Sequence, residues 1–186
     1  MSSEITSSNP VVQAIIAGTA PQPARLAAAR GLLPLPQNDL LEVLVALSSN
    51  SDSEISEAAT ETLKDESADN FLIAAKADDI APTVLSYLAT HRAAKREIHE
   101  ALILNKKTPD PALAALARST PDGQLLELIA INQERLVRFP ELIEAILSNS
   151  ARTSEAERRA KETKREFFEK AGHRDSFIFS WGGLIF

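Results

Sequence analysis

Apolar side chains recur along most of the chain at the spacing of amphipathic helices. Val84, Leu85 and Leu88 would share one helical face, and Leu125, Leu128 and Ile129 repeat this spacing. Between turn signals, the pattern predicts helices at 9–17, 22–31, 37–49, 53–64, 68–77, 80–91, 94–105, 109–118, 122–132, 139–149 and 153–171. The body of the chain is therefore predicted to be all-α.

Turn and capping residues divide these segments into short helices. Asn9-Pro10 and Thr120-Pro121 each place a capping side chain before a proline, which fits the first turn of a helix. Glycines that would end helices in the left-handed conformation are Gly18, Gly31 and Gly172. Short helices with short connections favour stacked helix pairs.

A second regularity is an asparagine at the end of several helices. The residues concerned are Asn50, Asn105, Asn132 and Asn149. Alternate helices start about 28 residues apart, which is the length of a two-helix repeat. We therefore expect a right-handed α-solenoid of about five antiparallel helix pairs, followed by a charged C-terminal helix.

One run of sequence carries a family resemblance. It reads Asn-Lys-Lys-Thr-Pro-Asp-Pro-Ala-Leu-Ala-Ala-Leu-Ala over 105–117, followed by Leu-Leu-Glu-Leu-Ile-Ala-Ile-Asn over 125–132. This resembles bacterial α-solenoids of the HEAT-like and leucine-rich-repeat-variant type, over residues 36–150. The sequence departs from the pattern after Asn132, where Gln-Glu-Arg-Leu replaces the turn. The resemblance implies a solenoid. Some HEAT-like solenoids bind DNA and excise damaged bases with a carboxylate and aromatic residues.

Composition narrows the classes of partner and compartment. A net charge of −6 and a pI near 5.2 disfavour general binding to nucleic acid or anionic lipid. The absence of cysteine excludes disulfides and thiolate metal sites. Neither a signal-peptide pattern nor a membrane-length apolar run occurs, so we expect a cytoplasmic protein.

Charge is segregated along the chain. Residues 36–80 hold eleven acidic side chains against two lysines, whereas residues 91–107 are basic. We favour ordinary solvated helix faces and first-turn acids as the explanation. The functional alternative is an electrostatic strip that binds a protein or peptide. The candidate partner-binding residues are Tyr87, Arg92, Lys95, Arg96, Lys106, Lys107 and Trp181.

Candidate catalytic and metal-binding residues are sparse. His91 and His99 are eight residues apart, which is not the spacing of two metal ligands on one helical turn. Asp78-Asp79 is interpreted as a helix cap, and phosphate-loop and nucleophile-elbow motifs are absent. We therefore predict no enzyme, no cofactor and no metal site.

The C-terminal part differs from the body. Residues 151–172 predict a charged helix with one thin apolar line, formed by Ala156, Ala160, Thr163 and Phe167. We favour this helix as a cap on the 1–150 solenoid over a solvated spacer. The apolar segment 173–186 is a packed extension, a docking peptide or the stump of a longer or altered chain, and we favour the stump.

These observations favour a non-catalytic module that presents a curved helical surface to a protein or peptide partner. The alternative is a HEAT-like protein that binds nucleic acid, including one that acts as a DNA-repair glycosylase. Few cations and a single tyrosine near the basic segment weigh against that alternative. The oligomeric state does not follow from the sequence.

Overall fold

The computed structural model describes residues 7–91 and 94–169. Within these ranges the chain is all-α, with twelve α-helices and no strand. The helices are α1 (Pro10–Ile16), α2 (Gln22–Ala29), α3 (Gln37–Leu47), α4 (Ser53–Lys64), α5 (Ala68–Lys76), α6 (Pro82–Thr90), α7 (Arg96–Leu104), α8 (Asp110–Ser119), α9 (Gly123–Ile131), α10 (Gln133–Arg138), α11 (Glu141–Ser148) and α12 (Ser154–Lys164). None of them is long and apolar enough to cross a membrane.

The chain divides into two compact units, Met1–Pro109 and Asp110–Phe186. In the first unit, α3 packs against α1, α2, α4 and α6, and α5 packs against α6 and α7. The core consists almost entirely of aliphatic side chains, as the helical spacing of apolar residues in the sequence predicts. Its largest fully buried side chains include Leu41, Leu44, Leu85 and Leu102.

The second unit shows a repeated packing. Helix α8 packs against α11, and α9 packs against α12. The start of α11 follows the start of α8 by the same number of residues as α12 follows α9. Helix α10 packs against α11 and α12. Two helix pairs of equal period therefore build this unit, with α10 inserted between them.

The predicted helix ends are confirmed at several positions. Asn9 caps α1 by accepting a hydrogen bond from the Val11 amide. Gly18 and Gly31 end their helices with φ angles of +74° and +67°, which favour glycine. Asp122, and not Thr120, supplies the side-chain cap of α9, so that helix begins one residue later than predicted. Gly172 lies outside the described residues.

Helix α10 was not predicted, because its sequence Gln-Glu-Arg-Leu-Val-Arg has too few apolar side chains to show a helical face. The apolar line of α12 is confirmed at Ala156, Ala160 and Thr163, which are buried. Phe167 departs from that line and is 42% exposed. It lies in a π-helical turn, Arg165–Glu169, whose wider turns shift side chains around the helix axis.

Candidate partner-binding surface

The structure separates the predicted basic residues along α7. Lys95 and Arg96 lie where the helix begins, whereas Lys106 and Lys107 follow its last residue. Nine helical residues span about 14 Å at 1.5 Å per residue, so these cations form two groups. Tyr87 lies on α6. The remaining two predicted residues, Arg92 and Trp181, lie outside the described residues.

Two predicted side chains, Arg96 on α7 and Tyr87 on α6, have intramolecular partners. The Arg96 guanidinium donates to the Glu100 carboxylate across one helical turn at 2.8 Å. The Tyr87 ring stacks on the His91 ring at a centroid distance of 5.3 Å. Arg96 and Tyr87 are therefore both engaged in contacts within the chain, and a binding partner would have to compete with these contacts.

At the other end of α7, side-chain hydrogen bonds fix the turn that carries the lysines. The Asn105 side chain donates to the carbonyls of Ala75 and Ala77, at 2.9 and 3.1 Å. Its Oδ1 atom accepts from the Lys107 amide at 2.9 Å. The buried Thr108 hydroxyl donates to the Leu102 carbonyl at 2.7 Å. These contacts join the last turn of α7 to the last turn of α5.

Two large aliphatic side chains are exposed at these joined helix ends. Ile73 is 63% exposed in the last turn of α5, and Leu104 is 69% exposed as the last residue of α7. The exposed lysines nearby form no ion pair among the described residues. We call this set the Ile73–Leu104 surface; it consists of Ile73, Lys76, Leu104, Lys106 and Lys107. Sequence analysis found only its lysines, because aliphatic residues at these positions look like core residues.

Acidic residues of the first unit mostly serve the fold. Side-chain amides donate to carboxylates 29 or 30 residues later along the chain. The pairs are Asn9–Asp39 at 3.2 Å, Gln22–Asp52 at 2.9 Å and Gln37–Glu66 at 2.9 Å. The buried carboxylate of Glu42 accepts from the Ser7 amide at 3.1 Å. These contacts support the structural explanation of the acidic region over an electrostatic strip.

The exposed acids on α4 are also partly paired. Glu54 contacts Arg30 at 3.5 Å, and Glu61 contacts Lys64 at 3.2 Å. Among the described residues, no group of three or more histidine, aspartate or glutamate side chains could hold a metal ion. The predicted helix cap at Asp78-Asp79 is wrong, because the N-cap residue of α6 is Ala81 and no side chain caps this helix. Asp79 instead accepts a hydrogen bond from the Asn38 side-chain amide at 2.9 Å.

A histidine cluster lies between α5, α6 and α7. The His91 ring meets the Phe71 ring edge-on at 5.8 Å, in addition to stacking on Tyr87. The Nε2 atom of His99 is buried and has no hydrogen-bond partner. Burial and then the charge of His91 lower the pKa of His99. The sequence spacing gave no signal that these two histidines interact.

In the second unit, two arginine side chains bind the carboxylate of Asp110. Its carboxylate accepts from Arg135 Nη1 at 2.8 Å and from Arg138 Nε at 2.7 Å. The Arg138 hydrogen bond is the largest cause that lowers the pKa of Asp110. An ionised carboxylate held between two guanidinium groups is a poor proton donor or acceptor near neutral pH. Sequence analysis missed this cluster because it missed α10, which carries both arginines.

Ion pairs cover the outer face of α12. Hydrogen bonds from Arg158 and Arg159 lower the pKa of Glu155 to about 2. A groove of about 580 Å³ lies along this helix and is lined by Leu147 and six charged residues. Three of the lining cations already have carboxylate partners. The pairs are Arg158–Glu162, Lys161–Glu157 and Lys164–Glu144. The groove therefore offers little unpaired charge to a ligand.

Comparisons of the chain with protein-family models, with curated proteins and with solved structures gave no match. The resemblance to HEAT-like and leucine-rich-repeat-variant solenoids therefore stays a prediction.

Proposed function

We propose that this chain is a non-catalytic helical-repeat protein of the α-solenoid type, right-handed and built of antiparallel helix pairs, which binds a protein or peptide. The repeat is supported by side-chain contacts between segments about one repeat apart. In the first unit these are three amide–carboxylate pairs and the Asn105 contact with α5. In the second unit they are the packing of α8 on α11 and of α9 on α12.

The Ile73–Leu104 surface is the observation that carries the binding function. Full burial of a leucine or isoleucine side chain contributes about 1.5–3 kcal/mol, and both side chains are mostly exposed. Asn105 and Thr108 hold the adjoining turn in place, so a partner would meet an ordered surface.

Charge refines the chemistry of the partner. Lys106 and Lys107 would attract carboxylates, but the exposed Asp78 follows the same end of α5 and reduces the net positive charge. The apolar contacts therefore contribute most of the affinity, and the lysines orient the partner. We infer an amphipathic segment with two apolar anchors and an acidic flank.

Nucleic-acid binding lacks a comparable supporting observation. The predicted basic residues that the structure describes lie at the two ends of α7, about 14 Å apart, and Tyr87 is stacked on His91. A single-strand groove normally combines a continuous row of cations with free stacking rings.

The test uses photo-crosslinking from a matched pair of positions. A photoreactive amino acid replaces Leu104 in one variant and Leu32 in the other, since these leucines are 69% and 70% exposed. In cells of the source organism we expect a discrete crosslinked protein from position 104 and none from position 32. Equal crosslinking patterns from both positions would contradict the proposed surface.

Substitutions test the same surface by a second route. Ile73→Asp with Leu104→Asp should weaken binding of the crosslinked partner at least tenfold, whereas Leu32→Asp should leave it unchanged. Both variants should retain the helical circular dichroism of the parent, because these side chains lie outside the core. Unchanged affinity in the double variant would mean that this surface does not bind the partner.

A further inference from the structure

The histidine cluster of the first unit combines an aromatic stack with an unpartnered imidazole nitrogen. His91, which ends α6, stacks on Tyr87 at 5.3 Å and meets Phe71 edge-on at 5.8 Å. His99 lies in α7, where its Nε2 atom is buried without a hydrogen-bond partner. The three helices that carry these rings, α5, α6 and α7, pack against one another.

This environment accommodates a neutral His99 far better than a charged one. A neutral imidazole can leave one nitrogen without a donated hydrogen, whereas an imidazolium has N–H donors at both nitrogens. The buried Nε2 atom has no acceptor for that second donor. A buried donor without an acceptor destabilises the packed state.

We propose that His91 and His99 make the packing of α7 pH-sensitive, so that acidification loosens α7 from α5 and α6. Protonation of His99 would require either a buried, unpaired N–H group or exposure of the ring to water. Movement of α7 away from α5 and α6 would expose the His99 ring to water.

Among the described residues, no carboxylate accepts a hydrogen bond from the buried Nε2 atom of His99. On the α6 side, the charge of His91 acts on His99, and Tyr87 stacks on His91. Burial raises the pKa of Tyr87, so its phenol stays neutral in the relevant range. Asp69 and Lys76 of α5 are exposed. Within α7, Glu100 is paired with Arg96.

The sign of the pH dependence follows from the lowered pKa of His99. Well above pH 6.5, His99 is neutral in both the packed and the loosened state, so pH has no effect there. Below that value the loosened state binds the proton first, and loosening becomes more favourable as pH falls towards the packed-state pKa. The opening equilibrium constant rises tenfold for each unit by which packing lowers that pKa.

The experiment uses the full chain and its three histidines. Proton resonances of the imidazole rings are followed between pH 8 and pH 5 and assigned with His91→Gln, His99→Gln and His173→Gln. Amide hydrogen exchange of α7 is measured over the same range and corrected for the intrinsic pH dependence of exchange. We expect His99 to titrate below pH 6.5 and α7 protection to fall in step with that titration.

Variants separate the switch from general acid destabilisation. His99→Gln should remove the fall in α7 protection, whereas His173→Gln should keep it. His91→Phe retains a ring against Tyr87 but removes the charge, so it should raise the His99 midpoint even if His99→Gln does not fold. A His99 midpoint at or above pH 6.5 would overturn the proposal. So would an α7 pH dependence that is the same in His99→Gln as in the parent, or a His99 midpoint unchanged by His91→Phe.

Discussion

The side-chain amide of Asn149 donates to the carbonyl oxygen of Ala117 at 2.7 Å, across a sequence separation of 32 residues. The same amide donates to the Thr120 carbonyl at 2.9 Å, and its Oδ1 atom accepts from the Ala151 amide at 2.8 Å. Carbonyls at a helix end have no partner within the helix. One buried residue therefore completes the end of α8 and fixes the turn after α11.

Asn105 makes the equivalent set of contacts in the first unit. Its side-chain amide donates hydrogen bonds to the carbonyls of Ala75 and Ala77. Its Oδ1 atom accepts a hydrogen bond from the backbone amide of Lys107, the second residue after it. Asn50 shares the turn contact, because its Oδ1 atom accepts from the Asp52 amide at 2.9 Å. A terminal asparagine that looks like a simple C-cap in sequence thus joins helices one repeat apart.

We expect Asn149→Ala to lower the free energy of unfolding of the second unit by about 3 kcal/mol. The substitution removes both donors and leaves the Ala117 and Thr120 carbonyls buried without a partner, at about 1–3 kcal/mol for each such group. Asn149→Asp should cost at least as much, since it sets a carboxylate against two carbonyl oxygens. Urea unfolding followed by circular dichroism measures both values.

Asn132→Ala is the matched control. Asn132 also ends a helix, but its side chain caps α10 by accepting from the Arg135 amide. Loss of this cap should cost about 1 kcal/mol. If Asn149→Ala cost no more than Asn132→Ala, the inter-helix contacts of Asn149 would contribute no more than an ordinary cap.

A second prediction concerns the carboxylate of Asp110. Asp110→Asn should destabilise the second unit by about 2–4 kcal/mol, because Arg135 is only 5% exposed and would lose the charge opposite it. The arginines lower the pKa of Asp110, so the stability it provides is present above its unfolded-state pKa. That stability is lost as pH falls below about 4.

Stability measured between pH 6 and pH 2 tests this sign. The parent should lose stability over that interval more steeply than Asp110→Asn. Glu134→Gln serves as the control, since Glu134 contacts Arg138 at 3.8 Å from an exposed position and should change stability by less than about 1 kcal/mol. Parallel pH curves for the parent and Asp110→Asn would show that the carboxylate contributes no pH-dependent stability.

Helical periodicity located most of the fold but could not locate α10. In that helix only Leu136 is a buried apolar residue, and the other buried side chain is the cation Arg135. The pattern of apolar residues does not predict a helix where a buried ion pair replaces an apolar contact. Likewise, the position of Phe167 depends on a π-helical turn, and the spacing of apolar residues in the sequence does not predict that turn.

The candidate site was only partly predictable for a related reason. Lys106 and Lys107 stand out in the sequence by their charge, whereas Leu104 is indistinguishable there from its buried neighbour Ile103. The electrostatic interaction between His91 and His99 depends on how α7 packs on α6, which residue spacing does not specify. Tyr87 and His91, four residues apart, did carry a signal of their stacking.

The final prediction compares two left-handed glycines that end helices. Gly31→Ala should cost about 1–2 kcal/mol from its φ angle of +67°, and more from the added Cβ, which would lie 3.3 Å from the Thr62 Cγ2 atom. Gly18→Ala has a similar φ angle of +74° but nothing within 4 Å of the added Cβ, so only the backbone cost applies. Urea unfolding of the two variants measures the difference.

Thr62 determines how large that difference is. Its hydroxyl donates to the Ala29 carbonyl at 2.7 Å, which joins α4 to the end of α2 and prevents the methyl group from moving away. Thr62→Ser keeps this hydrogen bond and removes the methyl group. In the Thr62→Ser background, Gly31→Ala should therefore cost no more than Gly18→Ala. If the excess cost of Gly31→Ala persisted in that background, the Thr62 contact would not be its cause.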